Sequence, residues 1–242
     1  MLNVLDLFAG IGGFSLGLER TGGFKTSAFC EVDPKARKVL HKHWPNVPIY
    51  DDVRTLKGKH LREDGIPVDV ITGGFPCQDL SYAGKGAGLA GERSGLWYEY
   101  LRLITETTPQ WVIIENVSAL RSRGLEVVLR GLAEVGYDAE WHCIPASALG
   151  APHQRDRLWI IAHPMRFGTQ VSAEGEHAAE QVLGGPRSSG GTVSITGDWS
   201  VEPCLGGVAY GLPGRVDRVN QLGNAVVPQV VELIGRAIIS SS

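Results

Sequence analysis

The sequence has little of what usually marks a chain at first sight. Its four cysteines, Cys30, Cys77, Cys143 and Cys204, lie far apart and form no Cys-x-x-Cys. Neither a zinc site nor a disulfide framework is indicated, and a reducing compartment is implied. No apolar run approaches the ~20 residues that span a bilayer, and no basic lead-in precedes an apolar N-terminal segment, so neither a membrane span nor a signal peptide is expected. There is no positive excess either. Lys and Arg number 23 against 26 Asp and Glu, a formal net charge of −3, whereas a dedicated nucleic-acid-binding domain is usually basic. Any contact with a polyanion must come from a local patch. The dinucleotide fingerprint is missing too: after Gly10 and Gly12 its third glycine would fall at position 15, which is Ser15, so NAD is disfavoured.

What is present is an ordinary globular composition, 43% hydrophobic and 20% charged over 242 residues, enough for one core domain with an insertion or two small domains. The chain is organised around Gly73-Gly74-Phe75-Pro76-Cys77-Gln78-Asp79-Leu80-Ser81. This follows Val68-Asp69-Val70-Ile71-Thr72, which reads as a buried parallel strand. Two glycines let the backbone turn, and Pro76 fixes φ before Cys77. A thiol is thereby presented at the carboxyl end of a strand, the rim where open α/β sheets bind ligands. Alone, a free cysteine is more often a small buried hydrophobe.

The other segments alternate strand and helix, which predicts an α/β fold. Residues 2–8 read as a first strand, Ala9-Gly10-Ile11-Gly12-Gly13 as a glycine turn and 14–20 as a helix, the start of a nucleotide-type cofactor site. Residues 26–32 read as a second strand ending near Glu31, an acid able to accept ribose hydroxyls or simply to sit in solvent. Asp33-Pro34 reads as an N-cap with proline at the first position of a helix running to His43. A short strand over 47–50 precedes Asp51-Asp52. Residues 82–94 are too glycine-rich for a helix and read as a mobile loop; 95–107 read as a helix. Trp111-Val112-Ile113-Ile114 is a fifth strand, and the glutamate that follows, Glu115, is costly to bury without a partner. A helix over 125–135 and a strand over 137–144 lead to Arg155-Asp156-Arg157 at the mouth of the strand 158–162. Alternation in an extended segment would put both arginines on one face. From residue 164 hydrophobic periodicity is lost, and a final helix is expected to reach residue 239.

Taken together, Asp6-Leu7-Phe8-Ala9-Gly10-Ile11-Gly12-Gly13-Phe14, Pro76-Cys77-Gln78, Glu115-Asn116-Val117, Arg155-Asp156-Arg157 and Gly223-Asn224-Ala225-Val226-Val227-Pro228 resemble, in order, the motifs of the cytosine-C5 DNA methyltransferases of bacteria and phage. His153 stands where that family often has glutamine. The resemblance implies a Rossmann-like class I S-adenosylmethionine-dependent core over 1–163, a short and mostly irregular target-recognition region over 164–214, and a C-terminal segment over 215–242 that returns to the core.

It also implies roles. Asp6, Phe8, Gly10, Gly12, Glu31, Asp52 (or Asp51), Pro76, Leu96, Asn224 and Val226 would surround S-adenosylmethionine, which leaves as S-adenosylhomocysteine; no metal is required. Cys77 would add as thiolate to C6 of a flipped-out cytosine, ionised in the cationic field of Arg155 or Arg157. Glu115 would hold N3 and N4 of the base and Arg157 its O2. Ser81, Lys85, Arg93, Arg215 and Arg218 are the candidate contacts to double-stranded DNA. The implied setting is a prokaryotic or phage-encoded cytoplasmic monomer, with a cognate restriction endonuclease as a possible partner. Two rivals stand beside this reading. One is an RNA cytosine methyltransferase, whose Cys-Phe-Thr signature is not in the sequence. The other is a catalytically silent or partner-dependent relative that binds DNA or cofactor, which the short recognition region keeps open.

Overall fold

The computed structural model describes residues 1–76, 95–165 and 225–241. Its strands are β1 (Leu2–Leu7), β2 (Phe24–Cys30), β3 (Ile49–Tyr50), β4 (Val70–Gly73), β5 (Trp111–Val117), β6 (Tyr137–Pro145) and β7 (Asp156–Pro164). Its helices are α1 (Gly13–Glu19), α2 (Pro34–His43), α3 (Gly58–Glu63), α4 (Gly95–Thr107), α5 (Leu120–Arg123), α6 (Leu125–Glu134) and α7 (Pro228–Ser241). The strands form one sheet in the order β3-β2-β1-β4-β5-β7-β6. β1 to β5 pair in parallel; β7 runs antiparallel to both β5 and β6. This is the α/β sheet that the alternating pattern predicts, in the Rossmann-like form that the resemblance implies.

Central strands are apolar on both sides because both faces are covered. On one face Leu5, Leu7, Val112 and Ile114 pack with Trp97, Tyr100 and Leu103 of α4 and Val128 and Leu132 of α6. On the other, Val4 and Ile113 pack with Phe14 and Leu18 of α1 and Val230, Val231 and Ile234 of α7. The connections from β1 and β4 therefore leave to opposite faces. The chain's topological switch point, and its crevice, lie at the carboxyl ends of these two neighbours. No helix among the described residues is long and apolar enough to cross a membrane.

Local chemistry accounts for several boundaries. Asp33 caps α2 by accepting from the Lys35 amide at 2.8 Å, Pro34 occupies the first turn, and His41, Lys42 and His43 close the last, where cations complement the macrodipole. Trp97, Tyr100, Leu103 and Ile104 form the buried stripe of α4. Other boundaries depend on partners. β5 continues past the apolar run to Val117 because β7 pairs with it through Val117↔Arg157. The third strand shrinks to Ile49–Tyr50, which pair with Phe29 and Cys30 of β2. Helices α3 and α5 have no counterpart in the sequence reading. Nearly all of the segment 164–214 lies outside the described residues.

Close approach of α7 to α1 depends on glycine. A Cβ at Gly13 would meet the Val226 carbonyl oxygen at 2.8 Å, and one at Gly17 would meet Val231 Cβ at 2.6 Å and collide with the Pro228 carbonyl. Gly17→Ala gains ~1 kcal/mol of helix propensity. Overpacking against backbone commonly costs ~1–3 kcal/mol, so net destabilisation is expected in urea unfolding. An unchanged or raised midpoint would contradict this packing.

Candidate active site

The turn after β1 is built on strained and bare backbone. Phe8 has φ +52°, Gly10 +55° and Gly12 +87°; at Gly12 a Cβ would also strike Trp44 at 2.6 Å. A non-glycine residue in the left-handed region is uncommon and marks sites under functional constraint. The half-buried Phe8 ring lies near-parallel to Tyr100, centroids 6.3 Å apart. Beneath the turn is Asp6, with no exposed surface. Its carboxylate accepts from Ser15 Oγ at 2.8 Å, the Ser15 amide at 3.3 Å and Thr72 Oγ1 at 3.0 Å. Burial pushes its pKa up to about 7, against the lowering effect of those bonds. Direct contact with a cofactor, expected of Asp6, does not fit a side chain so enclosed; it braces β1, β4 and the first turn of α1 from behind.

Glu31, just past β2, closes the other side. Its carboxylate accepts from the Gly10 amide at 2.7 Å and the Asp33 amide at 2.8 Å, and it is 8% exposed. Asp52 is bound to Arg54, with Nη2–Oδ2 at 2.7 Å, and these bonds hold its carboxyl below the usual range. Its neighbour Asp51 pairs with Arg37 at the surface. Any further ligand of Asp52 must share it with Arg54.

A second group gathers at the ends of β5 and β7. Glu115 is 8% exposed and receives Arg157 Nε at 3.1 Å. Burial raises its pKa, while Arg157 and Arg155 pull it back. Asn116, buried beside it, donates from Nδ2 to the Phe75 carbonyl at 3.0 Å and accepts the Val117 amide at 2.9 Å. It thereby ties the end of β5 to the residues that lead to Cys77. Glu115 Oε2 would lie 3.1 Å from a Cβ at Gly74, so the bare backbone of Gly74 admits the acid to the Cys77 approach. Arg155 is not in the extended conformation that alternation assumes. Its φ is +28°, and Nη2 donates to the Ala225 carbonyl at 2.5 Å. Both arginines nevertheless line one cavity of about 670 Å³ with Gly12, Gly13, Ala225 and Val226, a size in the usual range for ligand pockets.

Of the other expected residues, Pro76 is exposed at the rim, Leu96 packs half-buried against the α4 side of the core, and Val226 lies against Gly13. Cys77, Ser81, Lys85, Arg93, Arg215, Arg218 and Asn224 lie outside the described residues. Sequence reasoning missed Ser15, Thr72 and Asn116. A buried amide directly after a buried acid was the available signal for Asn116. Among the described residues no cluster of three His, Cys, Asp or Glu side chains is placed to hold a metal ion.

Asp6 gives a pH test. Its folded pKa of about 7 exceeds the ordinary 3.8, so across that window the folded state keeps a proton the unfolded state has lost. Its contribution to stability is present below the lower value and declines as pH rises to the upper one. The melting temperature of Asp6→Asn relative to wild type is expected to rise from pH 4 to 7 and then level off. A pH-independent difference would show that Asp6 ionises normally.

The family model described as C-5 cytosine-specific DNA methylase matches residues 2–181. Type II methyltransferase M2.BsuMI of Bacillus subtilis (strain 168) is 36% identical over 194 residues, 76% of this chain and 48% of that protein. Type II methyltransferase M.CviJI of Paramecium bursaria Chlorella virus IL3A is 37% identical over 160 residues, 65% of this chain and 42% of that protein. Among solved structures, a candidate DNA modification methyltransferase encoded within an E. coli prophage is 28% identical with a TM-score of 0.57, covering 72% of this chain and 50% of that one. The chain thus spans about half the length of the curated relatives it matches. With the family model matched across most of its length and the buried Glu-Asn and paired arginines at the sheet rim, the chain belongs to the C-5 cytosine-specific DNA methylase family.

Proposed function

We propose that the protein transfers a methyl group from S-adenosylmethionine to C5 of cytosine in double-stranded DNA. The observation that carries this beyond family membership is Glu115: a carboxyl with raised pKa, buried, aimed by Arg157 and adjoining the approach to Cys77. A carboxyl disposed to share a proton suits the N3 and N4 edge of cytosine, which presents an acceptor and a donor together.

The residues of the glycine turn fit the cofactor. Nothing lies within 4 Å of the Cβ position of Gly10, so backbone there is open to a ligand. Glu31 keeps lone pairs for ribose hydroxyls beyond its two amide bonds, and Phe8 offers a ring face to adenine. When bound, S-adenosylmethionine supplies an electrophilic methyl group. Gly10, Gly12, Glu31, Phe8, Leu96, Asn224 and Val226 would hold it, with Asp52 shared with Arg54.

Cys77 is assigned the nucleophile on its motif. Its thiolate adds to C6, forming the S–C6 bond and moving the ring electron pair toward C5. Glu115 holds a proton at N3 as that charge builds, and Arg157 orients O2. After C5 is methylated its proton leaves, the S–C6 bond breaks, and the thiolate returns. The base must first leave the duplex, at a cost of a few kcal/mol. The segment 82–94, with Ser81, Lys85 and Arg93, is the candidate lid; 164–214 the candidate recognition region; and Arg215 and Arg218 candidate contacts beyond it. The setting this implies is a bacterial or phage-infected cytoplasm and a monomer, with a restriction endonuclease of the same specificity as the natural counterpart. One second reading, in which a partner supplies part of duplex recognition, rests on the short stretch 164–214 that the sequence offers for it.

Incubation with S-adenosylmethionine and a mixed-sequence duplex, read by bisulfite sequencing, tests this. Methylation in a fixed context, absent from Cys77→Ala, is expected. No methylation with cofactor binding intact would move the weight to the partner-dependent reading. Glu115→Gln keeps the size of the side chain but not its acid, and is expected to lower the transfer rate by about 10²–10⁴-fold with cofactor affinity unchanged in calorimetry. Wild-type rates in that variant would remove Glu115 from the chemistry.

A further inference from the structure

With a net charge of −3, the chain must hold a polyanion through local cations. Most described arginines are already committed. Arg37 pairs with Asp51, Arg54 with Asp52, Arg102 with Glu99 and Glu106, Arg130 with Glu126, Arg157 with Glu115 and Arg236 with Glu232. Arg121 and Arg123 differ. Both are exposed, and neither guanidinium has a hydrogen-bonding or acidic partner among the described residues.

Their place in the fold is specific. Both lie on α5, which follows β5 after Ser118 and Ala119, so they emerge at the rim where β5, the strand that carries Glu115, ends. Leu120, 2% exposed, anchors α5 in the same core cluster as Phe75 and Trp97. The turn is held by the Arg121 amide donating to the Ser118 carbonyl at 3.1 Å and the Gly124 amide to the Leu120 carbonyl at 3.0 Å. Leu120 therefore points inward while the arginines on either side of Ser122 stay in solvent. The next acid along the chain, Glu126, is engaged by Arg130 at 2.6 Å. Among the described residues, two positive charges thus stand uncompensated beside a buried carboxylate site. A guanidinium presents a planar fork of donors that matches phosphate.

We propose that Arg121 and Arg123 bind backbone phosphates of duplex DNA next to the flipped nucleotide, forming a phosphate station on the catalytic core itself. This rests on the cytosine-methylation reading: a base held at Glu115 brings its own sugar–phosphate backbone to this rim. Such contacts set register and affinity and carry no sequence information. They also answer the charge problem locally, without a basic chain.

The test is anisotropy of a fluorescein-labelled duplex across a salt series, for wild type, Arg121→Gln/Arg123→Gln and Arg121→Lys/Arg123→Lys. Binding of S-adenosylhomocysteine by calorimetry serves as the check of folding. Each phosphate contact contributes about 0.9 to the slope of log affinity against log salt. The glutamine pair is expected to show a slope shallower by about 1–2 with S-adenosylhomocysteine binding unchanged, and the lysine pair to restore the wild-type slope. An unchanged slope in the glutamine pair, or a loss that lysine does not restore, overturns the phosphate station and leaves the methylation reading intact. A wild-type chain with no salt-dependent duplex binding overturns both.

Discussion

A carboxylate almost closed to water must be held by a counter-charge or give up its own. Glu115 meets that constraint across two antiparallel strands, through the guanidinium of Arg157 at 3.1 Å. The pairing of β5 with β7 is what sets this distance, because Val117 stands opposite Arg157 and Glu115 opposite Trp159 in the register. Removing one partner of a buried pair commonly costs ~3–5 kcal/mol, far more than the pair itself contributes. The arrangement is thus better understood as orientation than as stability. Asn116 passes that orientation on, since its amide is spent on the Phe75 carbonyl and the Val117 amide. The acid, the arginine and the approach to Cys77 are in this way one mechanical unit.

The cofactor side is built by a different device. There the fixed element is Asp6, sealed below the glycine turn and bonded to Ser15 on α1 and Thr72 on β4. It joins the two parallel strands whose following connections leave to opposite faces of the sheet. Glu31 fastens the same turn from β2 through the Gly10 amide. The C-terminal segment closes the remaining side: Val226 packs on Gly13, α7 packs on Gly17, and the carbonyl of Ala225 receives Arg155. One segment distant in sequence, Ala225 and Val226 with the helix that follows, thus touches the cofactor turn, Arg155 and α1.

Features set by neighbouring residues were legible in the sequence. Asp33 before Pro34 announced the start of α2, and the helix read over 95–107 is α4. The roles of Glu115 and Arg157 were approached through motif order, and the two side chains lie 3.1 Å apart. What could not be read locally depended on distant partners. Asp6 looked like a cofactor ligand until Thr72, 66 residues away, was seen to share its burial. Arg155 and Arg157 were expected to share a face through strand alternation. They share a cavity instead, because left-handed backbone at Arg155 turns it toward Ala225. Helix α5 is four residues long, too short for any periodic signal, so nothing in the sequence singled out its two arginines.

The most direct measurement of the central claim is mass spectrometry of the wild-type protein after incubation with S-adenosylmethionine and a duplex whose cytosines carry fluorine at C5. Fluorine replaces the proton that must leave C5, so a thiolate that has added to C6 cannot be released after methylation. The expected result is a complex stable to denaturation, with the modified nucleotide mapped to Cys77. Recovery of unmodified protein under conditions where an ordinary duplex is methylated, or an adduct on another residue, would contradict the assignment of this rim as the place where the bond to cytosine forms.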